Sequence, residues 1–457
     1  MNTGKQAVPA LERSLSLTQA TAINMIDMVG IGPFITLPMI VSLMHGTAGI
    51  LAWCVGAVLA YADGTVWAEL GAKWPEAGGS YVFLKNLFGG KGGRWSKLMP
   101  FLFIWQTTIQ APLIIASGAI GFSNYFSFLV PLSDWQQKVV SGSLVVLLVM
   151  ILYRKIESIG RISVALWVVT GGTFVWLIVS GIPLFNFRQA FNIDAHSFTS
   201  GLVFSAMLGQ ASLKAVYSYL GYYNVCHLGA EIKNPARNIP RAIFLSITGI
   251  AVFYLLMHTI VLGVMPWQEV AASKFVVSVY FERVYNSHIV GVVATVLILI
   301  VAFASLFSAT LGYSRIPYSA ALNGDFFKIF ARVHPRHHIP HISLLGIGAV
   351  AFVFSLLFRL GDIISAIIMM RILVQFVMQA VGLIMLHYRK KEEQMPYKMP
   401  LFPLPALLSI LIWLYIFVSN EPKFIIGALG IIVLGVLIFV LRSFYSNRSG
   451  AVAGDGL

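Results

Sequence analysis

The sequence predicts an all-α integral membrane protein with about twelve transmembrane helices. Of its 457 residues, 58% are hydrophobic and 11% carry a formal charge, whereas soluble globular domains have roughly 25% charged residues. The hydrophobic residues fall in runs of roughly 18 to 28, each long enough as a helix to cross a hydrocarbon core of about 30 Å. Transmembrane strands would need alternating runs of about ten residues. The composition therefore excludes a soluble enzyme and indicates a chain surrounded by membrane lipid.

The predicted spans form two successive groups of five followed by a final pair. The first group covers residues 16–182, the second covers 199–388 and the pair covers 402–446, and the tail 447–457, rich in small residues, is expected to be flexible. The individual spans are 16–44, 47–72, 97–128, 136–153, 158–182, 199–230, 238–264, 288–320, 341–358, 361–388, 402–420 and 423–446.

The distribution of basic residues predicts how the spans are oriented. The formal net charge of +14 is spread over short loops, so it favours a topology signal over a nucleic-acid-binding surface. If the N-terminus is cytoplasmic, that side receives 23 of the 31 Lys and Arg residues. The positive-inside rule then places both termini in the cytoplasm of a multi-pass protein of the cell membrane. We expect no removable signal peptide, and the sequence does not indicate the oligomeric state.

The sequence predicts neither a cofactor nor a metal site. Cys54 and Cys226 lie in or beside apolar segments, which favours single packed thiols. The histidine-dense segment 334–341 contains two prolines and has no carboxylate or cysteine support, so we interpret it as a positive, polar loop. A membrane enzyme would need a nucleophile–base pair or metal-ligand cluster at membrane depth, and a channel would need a filter-like repeat or charged ring. Neither pattern is present in the sequence.

Two predicted spans are interrupted near their middle. Span 1 contains Gly30-Ile31-Gly32-Pro33, where the proline removes a backbone donor and clashes with the preceding turn. Span 6 carries Tyr219-Leu220-Gly221 at a comparable depth. Peptide groups exposed by a broken helix cannot be satisfied by lipid, so they line a polar cavity or are buried in protein. A packing kink explains either interruption alone, but the matched pair predicts an inverted-repeat transporter with its site at the breaks.

Three further motifs follow spans 2, 6 and 8. They are the segments 69–84 (ELGAKWPEAGGSYVFL), 231–242 (EIKNPARNIPRA) and 314–325 (SRIPYSAALNGD). Together with the Gly-x-Gly break, they resemble the amino acid-polyamine-organocation superfamily of secondary transporters, in the same order and at similar spacing over nearly the whole chain. The resemblance implies a 5+5 inverted repeat with broken helices 1 and 6. It also implies a permease for an amino acid or a related amine that works by alternating access.

The break in span 1 is the predicted carboxylate site. The free amides of Ile31, Gly32 and Phe34 at the start of a half-helix favour an anion. Pro33 stands where the family usually has Ile or Val and has no N–H to donate, and the Gly-Pro-Phe sequence also resembles the polyamine-uptake branch. A polyamine or other organic amine therefore stays an alternative substrate.

Asp27, three residues before this break, is an intramembrane carboxylate that contacts a substrate amine, a cation or a proton, or forms a structural pair. The break in span 6 offers backbone carbonyls to an ammonium group, with tyrosines around the ligand. The predicted substrate contacts are Asp27, Gly30, Ile31, Gly32, Phe34, Gln110, Tyr217, Tyr219, Gly221, Tyr222 and Asn224.

The coupling ion and the gate are predicted less directly. Asp27, Thr170, Ser305 and Ser308 are the candidates for coupling to protons or sodium, and exchange without a coupling ion stays open. Lys214, Arg371 and His258 are intramembrane basic residues that a carboxylate would turn into a proton-linked switch. The resemblance implies a cytoplasmic gate, to which we assign Glu231, Lys233, Arg237, Arg241 and Arg315. The alternative is that these charges only retain loops on the cytoplasmic side.

Overall fold

A computed structural model describes residues 11–89, 94–192, 201–357, 360–389 and 394–452. Over these ranges the chain is almost entirely helical and its only β-type pairings are two isolated bridges. The helices are α1 (Leu17–Val29), α2 (Gly32–Leu43), α3 (Ile50–Lys73), α4 (Ser80–Phe88), α5 (Leu98–Phe126), α6 (Asp134–Leu152), α7 (Ile156–Gly181), α8 (Phe187–Ala190), α9 (Gly201–Tyr219), α10 (Asn224–His227), α11 (Pro235–Val264), α12 (Trp267–Ala272), α13 (Val276–Tyr285), α14 (His288–Tyr313), α15 (Arg315–Leu322), α16 (His341–Leu357), α17 (Leu360–Arg371), α18 (Met378–Arg389), α19 (Leu404–Val418) and α20 (Pro422–Val452).

The helices agree with the predicted spans in number and position. Eight of those described are long and apolar enough to cross a membrane, and the bent pair α1 and α2 makes a ninth span. The helices α16 and α19 are shorter but apolar, and α9 is the first half of predicted span 6. The prediction of a multi-pass, all-α membrane protein is confirmed. The predicted flexible tail begins within α20, and its last residues, 453–457, lie outside the described residues.

Span 1 breaks where its glycines and proline predict. The helix α1 starts with a capping box, in which the hydroxyl of Ser16 accepts from the amide of Gln19. It ends at Val29, and Gly30 takes a positive φ of 42°. Pro33 then lies in the first turn of α2, where its fixed φ suits the helix and its missing N–H breaks no helical bond. The two halves meet at an angle of 42°.

Span 6 also breaks at the predicted position, and the two breaks touch. The helix α9 ends at Tyr219, and four turn residues precede the short helix α10. Gly221 has a φ of 124°, and a Cβ placed there would lie 2.8 Å from the backbone N of Met28 and 2.9 Å from the backbone C of Asp27. Only glycine combines this backbone conformation with so close an approach to another main chain.

A third irregularity, which the sequence analysis did not predict, lies in span 10. The helix α17 ends at Arg371, and residues 372–377 form a π-helical segment before α18 continues the span. Such insertions widen the helix by one residue per turn and are frequent at functional sites. Arg371, at the end of α17, lies in the same region as the two breaks, as the cavity described below shows.

Candidate functional site

A small cavity of about 70 Å³ lies between the broken spans. Both breaks contribute to its wall, and α5, α14 and α17 complete it. The predicted residues that line it are Asp27, Gly30, Ile31, Gly32, Tyr217, Gly221 and Ser305. The predicted residues outside its lining are Phe34, Gln110, Thr170, Tyr219, Tyr222, Asn224 and Ser308. The site predicted at the two breaks therefore coincides with a real cavity, while its outer members occupy other positions.

The main chain presents opposite partial charges to this cavity. The amides in the first turn of α2 have no helical acceptors, so its positive end, with Gly32 in the wall, favours an anion. The last carbonyls of α9 are the negative end of the other half-helix and favour a cation. Tyr217 lies beside this end, and its hydroxyl is 3.4 Å from Oγ of Ser117.

Two charged side chains face the same cavity. Asp27 lies at the end of α1, next to the break, and Arg371 lies across from it on α17. The guanidinium of Arg371 is 1% exposed, and its Nε donates to Oε1 of Gln375 over 2.7 Å. Its head lies over the rings of Tyr223 and Phe376, at 5.0 and 5.1 Å from their centroids. An anion and a cation in one small cavity suit a ligand that itself carries both charges.

The polar residues that miss the cavity hold its frame together. Asn24 is fully buried in α1, where its Nδ2 donates to the carbonyl of Tyr222 over 2.6 Å and its Oδ1 accepts from the amide of Val225 over 2.8 Å. This side chain therefore pairs with the turn between α9 and α10 in place of a backbone partner. The hydroxyl of Tyr222 donates to Asp63 over 2.5 Å, away from the cavity. Asn24 was not predicted, although a lone amide in a membrane helix is a signal for such a contact.

The predicted ion ligands are part of the same frame. Ser308 Oγ donates to the carbonyl of Ile23 over 2.7 Å and accepts from Nδ2 of Asn224 over 2.8 Å. Ser305 Oγ donates to the carbonyl of Asp27 over 3.1 Å, and Thr170 is buried with no hydrogen-bond partner within the described segments. Both serine hydroxyls thus donate their hydrogen bond to a carbonyl of α1. Each serine oxygen still has a lone pair that can coordinate a cation. Coupling through these residues stays a prediction.

A buried ion pair joins the segment that follows α10 to the start of α15. Arg315 donates from Nε to Oε2 of Glu231 over 2.9 Å and from Nη2 to Oε1 over 2.7 Å. The two side chains are 2% and 0% exposed. Of the other predicted gate charges, Lys233, Arg237 and Arg241 are exposed and lie apart from this pair. Only two of the five predicted gate residues therefore pair with each other.

A separate and larger pocket of about 910 Å³, which we call the vestibule, lies toward the other end of the molecule. Its wall combines α2, the end of α5 and the segment between α12 and α13. Phe34 faces this vestibule, which explains why its ring does not line the inner cavity. Lys214 also borders it, and its Nζ donates to Ser365 over 2.8 Å. The cavity and the vestibule share no lining residue, and the buried Glu231–Arg315 pair belongs to neither lining.

Two helices broken at a shared polar cavity, within a bundle of membrane spans, are the arrangement of a secondary transporter of small solutes. Residues 15–441 match the family model described as amino acid permease. The chain therefore belongs to the amino acid permease family, and the resemblance to the amino acid-polyamine-organocation superfamily is confirmed. The family consists of transporters, so the expectation that the chain is not an enzyme also holds.

Individual relatives cover almost the same length. The human Asc-type amino acid transporter 1 is 26% identical over 97% of this chain and 84% of its own. The serine/threonine exchanger SteT of Bacillus subtilis is 27% identical over 88% of this chain and 89% of its own. The human cystine/glutamate transporter is 24% identical over 87% of this chain and 78% of its own. The similarity thus extends over both broken spans and the Glu231–Arg315 pair.

Proposed function

We propose that this permease binds the zwitterionic backbone of a free amino acid at the two breaks and carries it across a cell membrane. The α-carboxylate lies at the positive end of α2, near the amides of Gly32 and Phe34. The α-ammonium lies between the carbonyl end of α9 and the carboxylate of Asp27. The observation that carries the proposal is that these two opposite binding ends face one cavity.

The charge of the cavity favours an amino acid over a polyamine. A polyamine carries several positive charges and no anion, and Asp27 is a single carboxylate. Arg371 would repel such a ligand at short range, in a medium where charges are poorly screened. The positive end of α2 would also be left without an anion. The names of the relatives described above, all amino acid transporters or exchangers, support the same choice.

Transport proceeds by alternating access around this site. The Glu231–Arg315 pair closes one side while the vestibule is open on the other, which is the arrangement of one end state. The excess of Lys and Arg in the loops on the closed side supports a cytoplasmic location for that side and for both termini. The substrate then enters through the vestibule from outside the cell.

Uptake into proteoliposomes tests this proposal directly. We expect uptake of at least one labelled α-amino acid, competition by other α-amino acids, and no competition by putrescine or spermidine. The Asp27→Asn variant removes a charge from the ammonium site and should lower uptake about 10- to 100-fold, the value of a hydrogen bond to a charged group. The matched control is Asp134→Asn, which changes an exposed carboxylate at the start of α6.

The same assay settles the coupling ion. Imposed proton and sodium gradients are compared, with Thr170→Val as the variant that removes one candidate sodium ligand. Sodium-driven uptake that is lost in this variant would support the site at Thr170, Ser305 and Ser308. Competition by polyamines in preference to amino acids, together with unchanged uptake by Asp27→Asn, would refute the proposed binding mode.

A further inference from the structure

Arg371 is a buried cation whose guanidinium is fixed by its neighbours but uses only part of its hydrogen-bonding capacity. Its Nε is occupied by Gln375, whose own Nε2 donates to Oγ of Ser80 over 3.0 Å. The rings of Tyr223 and Tyr313 lie at 5.0 and 6.0 Å from the guanidinium carbon. Yet its Nη2 has no hydrogen-bond partner in the part of the chain that is described. A buried donor without an acceptor is costly, so this nitrogen is expected to find its acceptor on a ligand.

Arg371 lies where the regular helix of span 10 ends. The helix α17 stops at this residue and gives way to the π-helical segment 372–377. Gln375 lies four positions along the chain and its Oε1 accepts from Nε of Arg371, which itself belongs to the lining of the cavity. An arginine fixed by a hydrogen bond and by aromatic faces is preorganised for a planar acceptor.

In the proposed binding mode, the two charged groups of an amino acid zwitterion both bind at the breaks. The α-carboxylate and α-ammonium groups use the half-helix ends and Asp27, on the walls formed by α1, α2 and α9. Arg371 belongs to a different wall, formed by α17. What remains of the substrate to meet that wall is its side chain.

Building on the proposed function, we propose that Arg371 determines side-chain specificity, by selecting amino acids whose side chain carries an uncharged oxygen acceptor. A hydroxyl or carboxamide oxygen satisfies Nη2, whereas an apolar side chain of equal size leaves it unpaired. A cationic side chain meets a like charge. An anionic side chain leaves one uncompensated negative charge in the cavity, because Asp27 already balances Arg371. The expected substrates are therefore amino acids such as threonine, serine, asparagine and glutamine.

Isosteric pairs of amino acids test this selection. Threonine and valine have the same shape, as nearly do asparagine and leucine, so each pair differs mainly in the acceptor. We expect the wild-type protein in proteoliposomes to prefer the oxygen-bearing member of each pair by about 10-fold or more, since a hydrogen bond to a charged group has that value. In Arg371→Met, which keeps an unbranched apolar stem and removes the donors, the ratio should fall toward one. Arg188→Met, an exposed arginine on α8, is the matched control and should keep the wild-type ratio.

A second variant covers the case in which Arg371→Met does not fold. Arg371→Lys keeps the charge but lacks the fork that contacts Gln375, so its threonine-to-valine ratio should lie between those of wild type and one. Ligand-induced thermal shifts of the purified wild-type protein provide the same ratio without transport. A wild-type ratio near one, or a ratio that persists in both variants, would overturn the role of Arg371 even if amino acids are carried. Absence of amino acid uptake altogether would instead overturn the proposed function.

Discussion

Neutralising Glu231 tests whether its ion pair holds the closed end of the cavity. Glu231 and Arg315 form two hydrogen bonds of 2.7 and 2.9 Å and are 0% and 2% exposed. The change Glu231→Gln keeps the shape of the side chain but leaves the guanidinium buried without its counter-charge. The closed state loses this compensation, whereas an opened gate exposes the arginine to water. We therefore expect the variant to shift the equilibrium toward the state that is open on this side.

The structure gives the size of the shift. Removing one partner of a fully buried pair costs about 3–5 kcal/mol. Arg315 keeps two weaker contacts, to the carbonyl of Leu311 at 3.1 Å and to Oγ of Ser314 at 2.9 Å, so the lower half of this range applies. At about 1.4 kcal/mol per factor of ten, the population of the open gate rises by roughly 100- to 1000-fold.

A native cysteine reports this opening. Cys226 lies in α10 beside the gate, is 1% exposed and has its Sγ 3.7 Å from the carbonyl of Trp67. Cys54 is the other cysteine and is exposed, so Cys54→Ser provides the background. When labelling follows the fraction of open protein, the rate of maleimide modification of Cys226 should rise by the same factor as that fraction.

A double variant separates the charge effect from general damage. Glu231→Gln with Arg315→Met removes both charges, and a buried pair replaced by uncharged residues of similar size is often tolerated. We expect its labelling rate to return toward the wild-type value, which a double-mutant cycle expresses as a coupling between the two sites. Equal labelling rates in wild type and Glu231→Gln would refute the assignment of this pair as the gate.

Three further perturbations follow from the structure. Gly221→Ala should lower the thermal stability and abolish uptake. A φ of 124° and a Cβ 2.8 Å from the backbone of Met28 together cost about 2–5 kcal/mol. The control is Gly430→Ala on α20, where a Cβ meets nothing within 4 Å, and it should be neutral in a detergent melting assay. Arg371→Met leaves Asp27 as the only charge in the cavity, so lysine should inhibit uptake at least about 10-fold better than in wild type, and unchanged inhibition would contradict the charge-balance argument. Burial and the neighbouring His337, His341 and Arg336 lower the pKa of His334 below its usual 6.5, so the packing of loop 334–341 on Tyr153 is complete above that pH and loosens as the pH falls below it. Hydrogen exchange of this loop between pH 5 and 8, corrected for the intrinsic rate, should show this dependence, and His334→Gln should weaken it.

The breaks were predictable because their causes are local. Pro33 cannot donate a backbone hydrogen bond, and Gly30 and Gly221 take positive φ angles that other residues rarely adopt. These constraints act on the chain itself and need no knowledge of neighbouring helices. The membrane spans were predictable for a similar reason, since their length follows from the thickness of the bilayer.

The side chains around the cavity were less predictable because the breaks interrupt the helical period. Tyr222 and Tyr223 follow Gly221 directly, yet the first donates to Asp63 and the second lines the cavity. In a regular helix, successive residues point about 100° apart in a known direction, but the direction is lost across a turn. Arg371 was recognisable as an intramembrane cation, but its position over the rings of Tyr223 and Tyr313 depends on the packing of helices far apart in the chain.

The sequence did not show which of the predicted gate charges are paired and which are exposed, and the reason is a different one. Glu231 and Arg315 are 84 residues apart and meet only because the segment that follows α10 packs against the start of α15. Lys233 precedes α11 and Arg237 lies in its first turn, and both side chains are exposed although they are within a few residues of Glu231. Closeness in sequence suggests that these charges act together. Only Glu231 and Arg315 are buried, however, and their burial depends on the arrangement of helices far apart in the chain.

Polar contacts at the closed side indicate that the ion pair does not act alone. Ser308 of α14 donates to the carbonyl of Ile23 in α1 and accepts from Asn224 in α10, so three elements on this side share one network. On the vestibule side, Thr36 of α2 lies 2.9 Å from Ser218 of α9, which joins the two broken spans to each other and not to α14. Opening the closed side therefore requires α1 and α10 to leave α14 together, at the cost of the Ser308 contacts as well as the Glu231–Arg315 pair.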